Sequence, residues 1–104
     1  MAQPALDLRA MVYPEGGEWV AHCLDLDIVS TGPDADTALD QLAEAVSTQL
    51  WYTRTHDNFR FLFRPAPPEA WERLGEILKG PHKTIVRSLA DHDPEFALHF
   101  LLAA

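Results

Sequence analysis

The chain has 104 residues, 47% of them hydrophobic and 23% charged, with a formal net charge of −8. That is the size and composition of one soluble globular domain, able to bury about two-thirds of its unfolded surface without staples. The acidic balance argues against broad binding to nucleic acid, whose phosphates need Lys and Arg, and suits solubility or a basic protein partner. No run of about 18 apolar residues exists, so no transmembrane helix and no membrane partner are expected. Residues Met1 to Leu8 lack the basic start and apolar core of a secretory signal, so the expected location is cytoplasmic. The single cysteine, Cys23, excludes an internal disulfide framework and any multi-cysteine metal site.

Residues Ala5 to Tyr13 alternate, with Leu6, Leu8, Ala10 and Val12 against Asp7, Arg9, Met11 and Tyr13. This is the period of a half-buried strand. Pro14-Glu15-Gly16-Gly17 predicts a hairpin turn, because glycine reaches the positive φ such turns need. Glu18 to Leu24 is the returning strand, with Trp19, Ala21 and Cys23 sharing one face. Asp27 to Thr31 predicts a short third strand, which completes an antiparallel meander. Gly32-Pro33 ends the sheet, and Asp34, Asp36 and Thr37 offer N-cap oxygens. Thr37 with Asp40 makes a weak capping box. A helix over about residues 36–55 follows, with Ala38, Leu39, Leu42, Ala45, Val46, Gln49 and Leu50 on one face. Asp40, Gln41, Glu44, Ser47 and Thr48 take the other face.

His56-Asp57-Asn58 ends this helix, and Phe59 to Arg64 alternates as a fourth strand. Pro65 to Pro68 forces extended backbone and then starts a short helix with Trp71, Leu74, Ile77 and Leu78 as its stripe, ended by Lys79-Gly80-Pro81. The last segment has two readings. Thr84 to Leu89 and Glu95 to Ala103 fit a hairpin over Ala90 to Pro94, whereas Asp93-Pro94-Glu95 also fits a helix start; strands are favoured.

The ordered set Val12-Tyr13, Glu18 to Cys23, Leu24-Asp25-Leu26-Asp27, Ser30-Thr31-Gly32 and Thr37 to Ala45 resembles the HicB-type antitoxin domain of bacterial HicA–HicB pairs. The resemblance covers residues 8–50, somewhat under half of the chain. It implies a β-β-β-α-β half of a ribonuclease-H-like architecture without nuclease activity. It also implies a small basic RNA-cleaving HicA-like toxin as partner, masked by occlusion, and association as dimers or tetramers. Many members carry a C-terminal DNA-binding part. The family often has prolines and a glycine where this chain has Leu24 to Val29. The segment Phe61 to Trp71 is similar to one in stand-alone HicB-like proteins. A helix-turn-helix over Trp71 to Leu89 would carry only Lys83 and Arg87 as bases in its recognition helix, which argues against DNA binding.

Chemistry-bearing residues have bland readings close at hand. Asp25, Asp27, Asp34 and Asp36 make an acidic cluster, but the last two sit where a helix start favours carboxylates without metal. The five histidines match no helical metal pair, Cys23 reads as a small buried hydrophobe, and no phosphate loop is present. Trp51-Tyr52 and Phe59 to Phe63, with interleaved Arg, read first as core or homo-oligomer contact and second as a partner interface. The sequence thus predicts a single α+β domain over 1–104. Its 5–64 core is a small antiparallel β-β-β-α-β sheet with one main amphipathic helix on one face. Its 65–104 extension is a short helix and then strands. The expected role is non-catalytic binding without metal or cofactor, through a sheet face or edge left free. Trp19, His22, Asp25, Asp27, Phe59, Phe61 and Phe63 are the candidate contact residues. The alternatives are a promoter-binding regulator and a stand-alone oligomeric domain.

Overall fold

The computed structural model describes residues 6–55, 64–88 and 96–103. Its elements run β1 (Leu6–Glu15), β2 (Glu18–Cys23), β3 (Ile28–Gly32), α1 (Ala35–Thr55), α2 (Pro68–Lys79), β4 (His82–Ser88) and β5 (Phe96–Ala103). The five strands form one sheet in the order β3-β2-β1-β5-β4. The α+β class, the antiparallel meander β1-β2-β3, both helices and the C-terminal strands are as the sequence predicts. The fourth strand expected at Phe59 to Arg64, and the helix end at His56 to Asn58, lie largely outside the described residues. Arg64 itself is in neither strand nor helix.

Two features go beyond the sequence reading. The C-terminal hairpin β4-β5 joins the meander, and β5 pairs β1 in parallel, with Leu6 opposite Phe96 and Val12 opposite Leu102. The sheet is therefore mixed, and β1 is its central strand. From that position β1 contributes apolar side chains to a core on each face of the sheet. Leu8, Ala10 and Val12 join Ala21, Cys23 and Leu26 in a core under Ala38, Leu39, Leu42, Val46 and Leu50 of α1. Met11 points the other way, into a second core with Leu24, Ala66 and Leu74. So α2 covers the opposite face at β1, where the sequence left that face open for a partner.

Local chemistry sets the boundaries. Gly16 and Gly17, at φ 60° and 84°, are the two residues between the paired Glu15 and Glu18. Positive φ at both central positions matches the right-handed twist of the flanking strands. α1 is capped by Asp34, whose Oδ1 accepts the Thr37 N–H at 2.7 Å; the Thr37–Asp40 box is not the cap. The Thr37 N–H and hydroxyl hold the Asp34 carboxyl below its ordinary range. The cap's contribution is therefore full above the unfolded pKa and lost as pH falls through the lowered folded value. Pro68 opens α2, where a missing N–H costs nothing.

Gly32 sits where β3 meets α1. A Cβ there would lie 2.8 Å from the Ala38 backbone nitrogen, whereas at Gly75 in α2 it would meet nothing within 4 Å. Gly32→Ala is expected to destabilise by about 1–3 kcal/mol through overpacking. Gly75→Ala is expected to stabilise by about 0.5–1 kcal/mol by removing backbone freedom from the unfolded chain. Urea denaturation of the two variants checks the opposite signs.

Candidate functional site

The segment Leu24-Asp25-Leu26-Asp27 joins β2 to β3 and organises the chemistry around it. Its two leucines are buried in opposite directions, Leu24 in the α2-side core and Leu26 in the α1-side core. The Leu24 N–H donates to the Arg9 carbonyl at 2.8 Å, and the Leu24 carbonyl accepts the Ala66 N–H at 2.8 Å. Asp25 then clamps Arg9. Its Oδ2 accepts the Arg9 backbone N–H at 2.8 Å and the guanidinium Nε–H at 3.4 Å, while Oδ1 accepts Nη2–H at 2.9 Å. This hydrogen bonding raises the pKa of Arg9 above its already high ordinary value. The guanidinium lies 4.7 Å from the centroid of the Trp71 ring, and the Trp71 indole N–H donates to the Ala66 carbonyl at 3.1 Å. A second stack, Arg73 over Tyr13 at 4.4 Å, fixes the same helix to the same strand. Cation–aromatic contacts of this kind hold α2 on the sheet alongside its apolar stripe.

Asp27 ends the segment in left-handed backbone, φ 53°, which Asp tolerates better than most residues. Its Oδ1 lies 2.8 Å from Nε2 of His22. The four carboxylates that looked like one acidic cluster thus have separate jobs: Asp25 holds Arg9, Asp27 meets His22, Asp34 caps α1, and Asp36 lies in the first turn of α1.

The residues expected to form a contact surface divide accordingly. Trp19 is partly buried against the α1-side core, and His22 is only 7% exposed. His22 is therefore a paired interior histidine, and Asp25 is committed to an intramolecular clamp. Asp27 is exposed beside the edge strand β3. Phe59, Phe61 and Phe63 lie outside the described residues. Trp51 and Tyr52, read first as core or oligomer contact, stand out at 64% and 48% exposure. Ser47, placed by helical period on the polar side of α1, is instead buried. The recognition helix considered for Lys83 to Asp91 is not formed, because β4 extends through Ser88 as strand.

What the sequence reading missed is where the charge sits. Between Ala10 and Thr53 there are eight carboxylates and no Lys or Arg, so the whole formal charge of −8 belongs to this stretch and the remainder is neutral. Asp25 is the one of the eight that is not exposed. The fold places β2, β3 and α1, which with the turns joining them carry seven of the eight, at one end of the sheet, and β4 and β5 at the other. Among the described residues β3 is the edge strand of that end, and Val29 on it is 53% exposed. A count of charges along the chain would have shown the asymmetry; only the strand order shows that it becomes spatial.

No protein-family model, curated protein or solved structure matches the chain.

Two measurements test the interior assignments. Burial raises the pKa of the Cys23 thiol to about 12, so the nucleophilic thiolate is scarce at neutral pH. Its reaction with a disulfide reagent is expected to be at least about a hundredfold slower in the native protein than in denaturant. Asp25→Ala removes the clamp on Arg9 and is expected to cost about 1–3 kcal/mol. Faster amide exchange in α2 than in α1 would identify the loosened element.

Proposed function

We propose that the chain is a non-catalytic binding module of HicB-like antitoxin type, which occludes a small basic RNA-cleaving partner. The observation that supports this most is the segregated charge. A stretch of chain from Ala10 to Thr53 with eight carboxylates and no Lys or Arg, seven of the eight exposed, offers a strong field for a basic protein. Such fields accelerate encounter and reject acidic competitors. The exposed edge strand β3 lies in that field and offers backbone hydrogen bonds to an added strand. The named residues for this contact are Asp27 and Val29 on the β3 side and the exposed acidic positions of α1.

The same charge directs self-association elsewhere. Two copies meeting through identical acidic ends would juxtapose like charges, at a cost of about several kcal/mol. A dimer or tetramer therefore forms through the opposite, β4 edge.

Affinity capture of the tagged full chain from its own cells, at low and high salt, tests the proposal. A small basic ribonuclease recovered at low salt and lost at high salt is the expected result. Recovery of the chain alone under both conditions would reject it in favour of a stand-alone oligomer.

A further inference from the structure

A groove of about 300 Å³ is lined by Glu44, Ser47, Thr48 and Trp51 of α1. We propose that this groove receives an arginine side chain of the basic partner. The inference rests on the basic-partner proposal and adds the residue type that is recognised and the place where it seats.

Three observations carry it. The first is a precedent inside the molecule. Arg9 is held by a carboxylate, Asp25, and by an aromatic face, Trp71. Glu44 and Trp51 are the same pair of groups presented outward, and among the described residues neither has an ion-pair or cation–aromatic partner. The two residues are two helical turns apart, about 10 Å along the axis. Arginine suits that spacing, because its stem packs on the indole while its planar guanidinium reaches the carboxylate. The second is exposure: Trp51 at 64% and its neighbour Tyr52 at 48% put two aromatic rings together at the surface, and it is such patches that mark interaction sites.

The third is Ser47. Thr53 and Thr55, on the same helix, return their hydroxyls to main-chain carbonyls one turn back, at 3.0 to 3.1 Å. Ser47 does not, and its buried hydroxyl has no hydrogen-bond partner among the described residues. An unpaired buried hydroxyl is costly, and a guanidinium has donors to spare after a bidentate carboxylate contact. Charge complementarity selects the occupant: the stretch from Ala10 to Thr53 carries eight carboxylates and no Lys or Arg, a field that favours a cationic side chain.

The test uses the full-length protein with two capped peptides of equal charge, tetra-arginine and tetra-lysine, at low salt. Dissociation constants are measured while the Trp51 indole N–H resonance is followed. Wild type is expected to prefer the arginine peptide by about fivefold, with the Trp51 resonance moving. Trp51→Leu and Glu44→Gln, both at exposed helix positions, are expected to abolish the preference and keep the circular dichroism of the fold. Equal binding of the two peptides, unaffected by either variant, would overturn the groove and leave the acidic end as a general electrostatic surface. Failure of wild type to bind either peptide would overturn both the groove and the basic-partner proposal.

Discussion

One residue, Leu24, is held through both of its main-chain polar groups. Its N–H is taken by the Arg9 carbonyl on β1 and its carbonyl by the N–H of Ala66, two residues before α2. Everything on the α2 side of the sheet hangs on this link. It draws the β2–β3 turn against the central strand and places Asp25 on Arg9. It also delivers Ala66 to the position where its own carbonyl receives the Trp71 indole. Backbone groups withdrawn from water must be paired somewhere, and here the pairing welds a turn, a strand and a helix start into one unit. The leucines flanking Asp25 complete the arrangement by filling the two cores on either side.

The molecule is divided electrostatically as well as structurally. The acidic stretch from Ala10 to Thr53 builds the second half of β1, β2, β3 and nearly all of α1, and the basic residues other than Arg9 fall after it. Arg9 is the one cation ahead of that stretch, and the Asp25 clamp consumes it. Electrostatic repulsion within the acidic end is a standing cost to folding, tolerated because seven of its carboxylates face high-dielectric solvent.

Much of the fold was legible because it rests on periodicity. Period two in β1 and β2, the Gly16-Gly17 turn and the apolar stripe of α1 each point to one local structure. Partner choice between strands is not written that way. The alternation of Phe96 to Ala103 says strand, but nothing in it says parallel to β1. The site was less legible for a related reason. His22 lies on the strand face away from Cys23, and alternation alone assigns that face to solvent; its 7% exposure depends on tertiary packing. Asp25 reads as a polar loop residue until Arg9 is brought to it, sixteen positions away in sequence. Ser47 was assigned by helical angle, which knows nothing of what lies beyond the helix.

The parallel pairing of β1 with β5 has a consequence for biosynthesis. The meander and α1 involve contacts near in sequence and assemble early, but β1 then has one side without a neighbour until residues 96–103 have emerged from the ribosome. During that interval the central strand of the sheet presents an open edge, the kind of surface that chaperones shield and that nascent chains use to misassociate. Contacts spanning some ninety positions close last and slowly. A truncation that removed β5 would therefore leave the acidic end intact in sequence while exposing the central strand permanently to aggregation.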